Sequence, residues 1–352
     1  MTAQERVTTV LNGGIPDRVP YQDAFWATTI ERWRTEGLPK NTSPDDYFGC
    51  EIAHIGGDYS LQLPIETIEK TGDYHIYRDE NGATRKDLNT ADGWTPGWLA
   101  FAIQDRNDWY RIKKQAQFHP SRIPQNIQSA YQNARKKNQF VTFAAHACFH
   151  PTWQKIGMEN MLMLLIEDPD FITDMYATHA QLIIDLYENI KALGITFDGA
   201  RLADDLGYRN APLISPTMYK DLVLPHHKYM CDHFAKEGLK TILHSDGDVR
   251  PLIPHFLDAG FSALHPLEVK ANLSVQDLKP RYGNRLTLFG NIDARALAGS
   301  YEDIENEICT KVNIGKENGG YIFHTDHSVP NDVSFDNYQY ACKMLQKYGQ
   351  YA

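Results

Sequence analysis

KTILHSDGDVRPLIPHFLDAGFSALHPLE, residues Lys240–Glu268, contains one full structural period. A short apolar run, Lys240–Leu243, opens into the polar loop His-Ser-Asp-Gly-Asp. A longer stretch follows and stops at Ala259-Gly260, where glycine suits a helix end. A second apolar run, Ser262–Leu264, starts at once and is followed by His265 and Glu268. Strand, helix and strand in this order predict a parallel pair.

The same period extends in both directions. Further strands are predicted at Phe140–Cys148, Phe197–Leu202, Leu286–Phe289 and Tyr321–Phe323, and an early one at Arg18–Asp23. Amphipathic stretches such as Asp168–Leu193 and Pro216–Lys236 separate them, and Leu193-Gly194 and Glu237-Gly238 supply further stops. Without a GxGxxG loop, the pattern favours an α/β (β/α)8 TIM barrel occupying residues 1–352 as a single domain. An open doubly wound sheet is the alternative. Residues Asn41–Pro96 lack this rhythm and are rich in turn signals, Asn81-Gly82 among them. They are expected to form an N-terminal cap of loops and short hairpins over the barrel mouth.

Composition narrows the function. A net charge of -10, with no basic cluster, argues against nucleic acid and against an anionic membrane surface. No window nears the roughly 18 uninterrupted apolar residues of a membrane span. The N-terminal MTAQERVTTVLNGG has no signal-peptide core, and the five scattered cysteines form no CxxC. The expectation is a cytoplasmic protein.

Titratable residues follow nearly every predicted strand: His146 and His150, Asp204 and Asp205, His244 and Asp246, His265 and Glu268, Asn291 and Asp293, then His324, Asp326 and His327. A barrel gathers its C-terminal strand ends into one pocket, so these residues would converge. Taken singly, each has a plainer reading; Asp246 or Asp293 serves equally as a helix cap. In Leu243–Asp248, LHSDGD, His244 and Asp246 stand at i and i+2 of an extended segment and point the same way. They suit a divalent metal such as zinc, with His327 as a third ligand; a metal-free His–Asp pair is the alternative. The adjacent histidines of LPHHK, Leu224–Lys228, face different ways on a helix and read as structural. Phe25 and Trp26 would wall a substrate pocket, whereas Trp33 reads as core.

Four stretches carry a family resemblance: ERVTTVLNGGIPDRVP (5–20), LISPTMYKDLVLPHHK (213–228), RLTLFGNIDARAL (285–297) and HSVPNDVSFDNY (327–338). Together they resemble the uroporphyrinogen decarboxylase superfamily over nearly the whole chain. The resemblance implies the barrel fold, a catalytic aspartate at Asp58 and a closing histidine at His327. True decarboxylases of the family place two arginines after the first strand to hold substrate carboxylates; here these positions fall on Phe25 and Thr29. Each lost charge-assisted contact is worth about 1.5–3 kcal/mol, so uroporphyrinogen is not the expected substrate.

A second branch, the corrinoid-dependent methyltransferases, holds zinc with a His-x-Cys motif and a later cysteine. The resemblance puts those ligands at His244, Asp246 and His327, and the harder Asp and His favour an oxygen or amine substrate over a thiol. The expectation is a demethylase-type methyltransferase. It would move a methyl group between a small methylated compound, such as a methyl ether, and a corrinoid on a partner protein. Asp58 and Glu268 are the expected acid/base or orienting groups, with Phe25, Trp26, His150, Asp204 and His324 around the substrate; a homodimer is a further expectation. The alternatives are a cofactor-free decarboxylase using Asp58 and a non-catalytic barrel that binds a tetrapyrrole or another small ligand.

Overall fold

A computed structural model describes residues 1–89 and 96–351. Seven strands form one parallel sheet in chain order: Ile52–Ile55, Phe140–His146, Gly199–Ala203, Lys240–His244, Phe261–His265, Thr287–Phe289 and Tyr321–Ile322. Six of the seven match predicted strands to within a few residues. Their cores are apolar on both faces, as strands buried on two sides must be. Helices such as Pro169–Lys191 and Leu224–Lys236 cover the outside, where the main core lies between sheet and helices. The stop at Gly260 works as its chemistry requires: the residue caps Ile253–Ala259 with a φ of 102°, which favours glycine.

Two expectations need correction. The predicted cap, Asn41–Pro96, contains Ile52–Ile55, an edge strand of the parallel sheet. Four residues, IAHI, are too short to show a period. The remainder of the segment does form hairpins. Glu66–Lys70, Tyr74–Arg78, Ala83–Leu88 and Gly97–Phe101 make an antiparallel sheet, with the Asn81-Gly82 turn joining its second and third strands. Residues 90–95 lie outside the described residues.

The predicted strand Arg18–Asp23 is not a regular strand, since it makes only isolated bridges. Pro20 has no N–H to give to a ladder. The segment nevertheless touches both edges of the sheet. Phe323 N donates to Pro20 O (2.9 Å), Gln22 N donates to Phe323 O (3.1 Å), and Glu51 N donates to Tyr21 O (3.0 Å).

Inside the curl of the sheet, side chains stack in levels. At the N-terminal end, Ile52, Ile242, Ala263, Phe289 and Ile322 pack against Val7, Val10 and Leu11 of the helix Ala3–Leu11. One step nearer the strand C-termini the apolar residues give way to His54, His244, His265 and His324, and Arg201 reaches in from the register of Ile242.

Candidate active site

The level change follows from register. Arg201 pairs with Ile242, and Ala203 pairs with His244, which pairs in turn with His265. Side chains two apart share a face, so Ile242, His244 and Asp246 climb one wall, and Arg201, Ala203 and Asp205 climb the next. Parallel strands set Asp205, His244 and Asp246 side by side, and one ligand atom from each lies within 4.8 Å of the others. Two loops hold this arrangement. Asp248 N donates to Tyr208 O (2.7 Å), and a Cβ on Gly247, whose φ is 82°, would lie 2.4 Å from Gly207 C. Only glycine tolerates that approach. Glu268 Oε2 accepts the Gly247 N–H (2.9 Å) and steadies the same loop.

The electrostatics crowd two carboxyl groups against a neutral imidazole. Burial, reinforced by Asp205 and Glu268 nearby, pushes the Asp246 carboxyl well above the usual carboxylate range. Its Oδ1 is buried and has no hydrogen-bond partner. Burial also raises Asp205, but the approach of His150 and His244 outweighs it and keeps that carboxyl ionised. His244 is held well below its ordinary value by burial and by Arg201, so its imidazole is neutral and free to coordinate. These side chains are still 20–31% exposed, enough to admit an ion from the mouth. His327 stands just above: its Nε2 is 3.9 Å from Asp246 Oδ2, and its ring stacks on Trp26. The donor set therefore fits a divalent cation, with Asp205 nearer to the His244–Asp246 pair than His327 is.

The other expected residues divide between two cavities. One, of about 580 Å³, is lined by Phe25, His54, Arg201, His265, Phe289 and His324. In it, His324 Nδ1 bonds Thr325 O (2.6 Å), and His265 Nδ1 bonds His244 Nδ1 (2.7 Å), linking this cavity to the Asp205–His244–Asp246 cluster. Phe25 meets Trp33 and Tyr338 edge to face, and Trp33 is fully buried. The second cavity, about 550 Å³, lies under the antiparallel sheet; Asp58, Tyr59, His146, His150 and Asp205 line it together with Trp98. His150 Nδ1 is 2.8 Å from Asp205 Oδ2 but off the line of a hydrogen bond. Asp58 caps its own turn, accepting from Ser60 N and Gln62 Nε2 (both 2.8 Å), so its nearest contacts are structural.

Asp204 belongs elsewhere. It is fully buried, accepts the N–H groups of Phe149 (3.0 Å) and His150 (2.6 Å) at a helix start, and meets His227 Nε2 at 2.8 Å. Tyr219 OH bonds the far side of His227 (2.9 Å). Burial opposes the charge on Asp204, but His227 and the helix N–H groups outweigh it and keep the carboxyl ionised. The correction follows from parity: adjacent residues leave a strand on opposite faces, so Asp204 points out into the helix layer while Asp205 points in. It also explains LPHHK, whose His227 serves this clamp. Arg201 and Asp205 are the residues that sequence reasoning left unassigned. A charge in the middle of a buried strand, GARLA, was the available signal for Arg201.

Comparison with known proteins bears on family and fold. The family model for uroporphyrinogen decarboxylase (URO-D) matches residues 92–348. No curated protein sequence matches. A solved methyltransferase from Methanosarcina mazei superposes with a TM-score of 0.66 at 15% identity, covering 99% of each chain. A Bacillus subtilis mannanase, BCman, reaches a TM-score of only 0.43 at 10% identity, over 93% of this chain and 85% of its own. The first likeness concerns the fold, and the second is too weak to carry an argument.

Proposed function

The chain belongs to the uroporphyrinogen decarboxylase (URO-D) family, and from that premise we propose that it is a metal-dependent methyltransferase. It moves a methyl group between a small methylated compound, such as a methyl ether, and a corrinoid carried by a partner protein. The observation that supports this most is the Asp205–His244–Asp246 cluster, with a buried carboxylate oxygen that nothing satisfies. The name of the Methanosarcina mazei structure adds support. We also read the Pro20–Phe25 segment as the eighth stave of a closed barrel, because it bonds both sheet edges.

Asp205, His244 and Asp246 would hold the metal, with His327 in reach of Asp246. When bound, the ion would supply Lewis acidity to the substrate heteroatom, and the partner's reduced corrinoid would supply the electron pair that takes up the methyl group. The substrate oxygen would keep the pair of the broken methyl–oxygen bond and need a proton. His327, open to solvent at the rim, is placed to deliver that proton. Trp26 fixes the His327 ring, Glu268 fixes the Gly247 loop, and His265 orients His244 from behind.

The decarboxylase reading fits less well. Phe25 is packed against aromatic rings, and Thr29 is buried with its hydroxyl donated to Val329 O (2.9 Å). Neither position offers a cation to a porphyrinogen carboxylate.

Elemental analysis of protein purified without chelator tests the proposal. About one divalent ion per chain is expected, lost from His244→Ala with folding retained. Full methyl transfer by metal-free protein would refute it.

A further inference from the structure

Arg201, half-buried in mid-strand, differs from the buried Arg6 and Arg122. Arg6 bonds Asp17 and Glu51, and Arg122 bonds the carbonyls of Gln117, Asp58 and Ser60. Arg201 makes no hydrogen bond and no close ion pair with any described residue; Asp205 and Asp246 act on it only from a distance. It projects from the middle of Gly199–Ala203 into the cavity it shares with His54, His265, His324, Phe25 and Phe289. The imidazoles around it do not share its charge: burial, and the guanidinium beside them, hold His54 down to about 3 and His265 well below its ordinary value. The same cavity is also lined by Asp23, which accepts the hydroxyls of Thr325 and Tyr338, by Asp45 and by the Asp46–Lys137 pair; among its described lining residues Arg201 is the one guanidinium, and it faces the neutral imidazoles.

We infer that Arg201 is the anchor for a carboxylate on the small-molecule substrate. This deepens the methyltransferase reading and rests on its assignment of a small-molecule site. The inference stands on three features together: an unpaired guanidinium, a chamber large enough for a ligand, and a reacting centre one level above. A guanidinium offers two parallel N–H groups that match a planar carboxylate. One charge balances one; a dianion such as phosphate would leave excess negative charge close to Asp205 and Asp246. Arg201 lies one level below Ala203, the partner of His244, a rise of roughly 7 Å. A ligand tethered to Arg201 and reacting beside His244 is therefore short, with its methylated heteroatom only a few bonds from the carboxylate. His265 touches both ends, lining the chamber and bonding His244.

The test is isothermal titration with matched acid and amide pairs: methoxyacetate against methoxyacetamide, and 3-methoxybenzoate against 3-methoxybenzamide. At least one acid should bind tenfold or more tightly than its amide. Arg201→Met should erase that preference. Arg201→Lys, which keeps the charge but loses the fork, should reduce it at least threefold, and this variant carries the test if Arg201→Met fails to fold. Asp246→Asn, which dismantles the proposed metal centre, should leave the preference in place. The inference is overturned if neither acid binds, if acid and amide bind alike, if Arg201→Met keeps the preference, or if chloride at the same concentration displaces the acid. Wild-type protein that transfers methyl groups fully without metal, yet keeps the acid preference, would instead sink the metal-dependent reaction while leaving the Arg201 anchor standing.

Discussion

Asp204 and Asp205 are neighbours in sequence and opposites in environment. Asp204 faces the helices, where every charge-stabilising contact is already made: helix N–H groups, His227, and Tyr219 behind it. Asp205 faces the mouth, where carboxylates and imidazoles crowd together and Asp246 Oδ1 has no partner. The same contrast divides the interior of the sheet. Its lower level packs apolar side chains against Val7, Val10 and Leu11. Its upper level, two residues further along the same strands, is a set of histidines, with Arg201 reaching in from the register of Ile242. Satisfied groups hold the fold, and the unsatisfied ones gather at the cavities, where a ligand is proposed.

The sharpest way to break this contrast is to exchange the roles. Asp204→Ala strips the helix N–H groups and His227 of a buried anion, and removing one partner of a buried pair costs about 3–5 kcal/mol. Urea unfolding should show that loss, whereas Asp205→Ala should unfold near the wild-type midpoint and fail to retain metal. If Asp205→Ala unfolds as easily as Asp204→Ala, the division fails.

A second comparison sets Ile242 against His244, two residues apart on one strand. Ile242→Ala opens a cavity against the N-terminal helix and should lose about 2–5 kcal/mol with its metal content intact. His244→Ala should do the reverse, and the two measurements together make the test. The smallest effect is expected at Asp246. Replacing it by asparagine removes a buried carboxyl crowded by Asp205 and Glu268, so metal-free Asp246→Asn should be more stable than metal-free wild type by about 1 kcal/mol. Equal or lower stability would show that the repulsion is already relieved.

Much of this molecule could be read from its sequence, and the limits of that reading share one cause. Six strands were legible because each is an apolar run closed by turn residues and followed by a helix with its own stop; Lys240–Glu268 shows the whole period. Hydropathy also located the mouth, since polar residues cluster after those runs. Hydropathy could not assign faces, because strands buried on both sides do not alternate. Tertiary pairing alone separated Asp204 from Asp205 and put Ala203 opposite His244, which brings Asp205 to the His244–Asp246 pair. It also turned GARLA into a strand with its arginine inward, because only a sheet curled around an interior gives an unpaired guanidinium a chamber to face. Residue types are written along the chain, but which side chains meet across strands more than 20 residues apart is fixed by register, and register arises only when the sheet assembles.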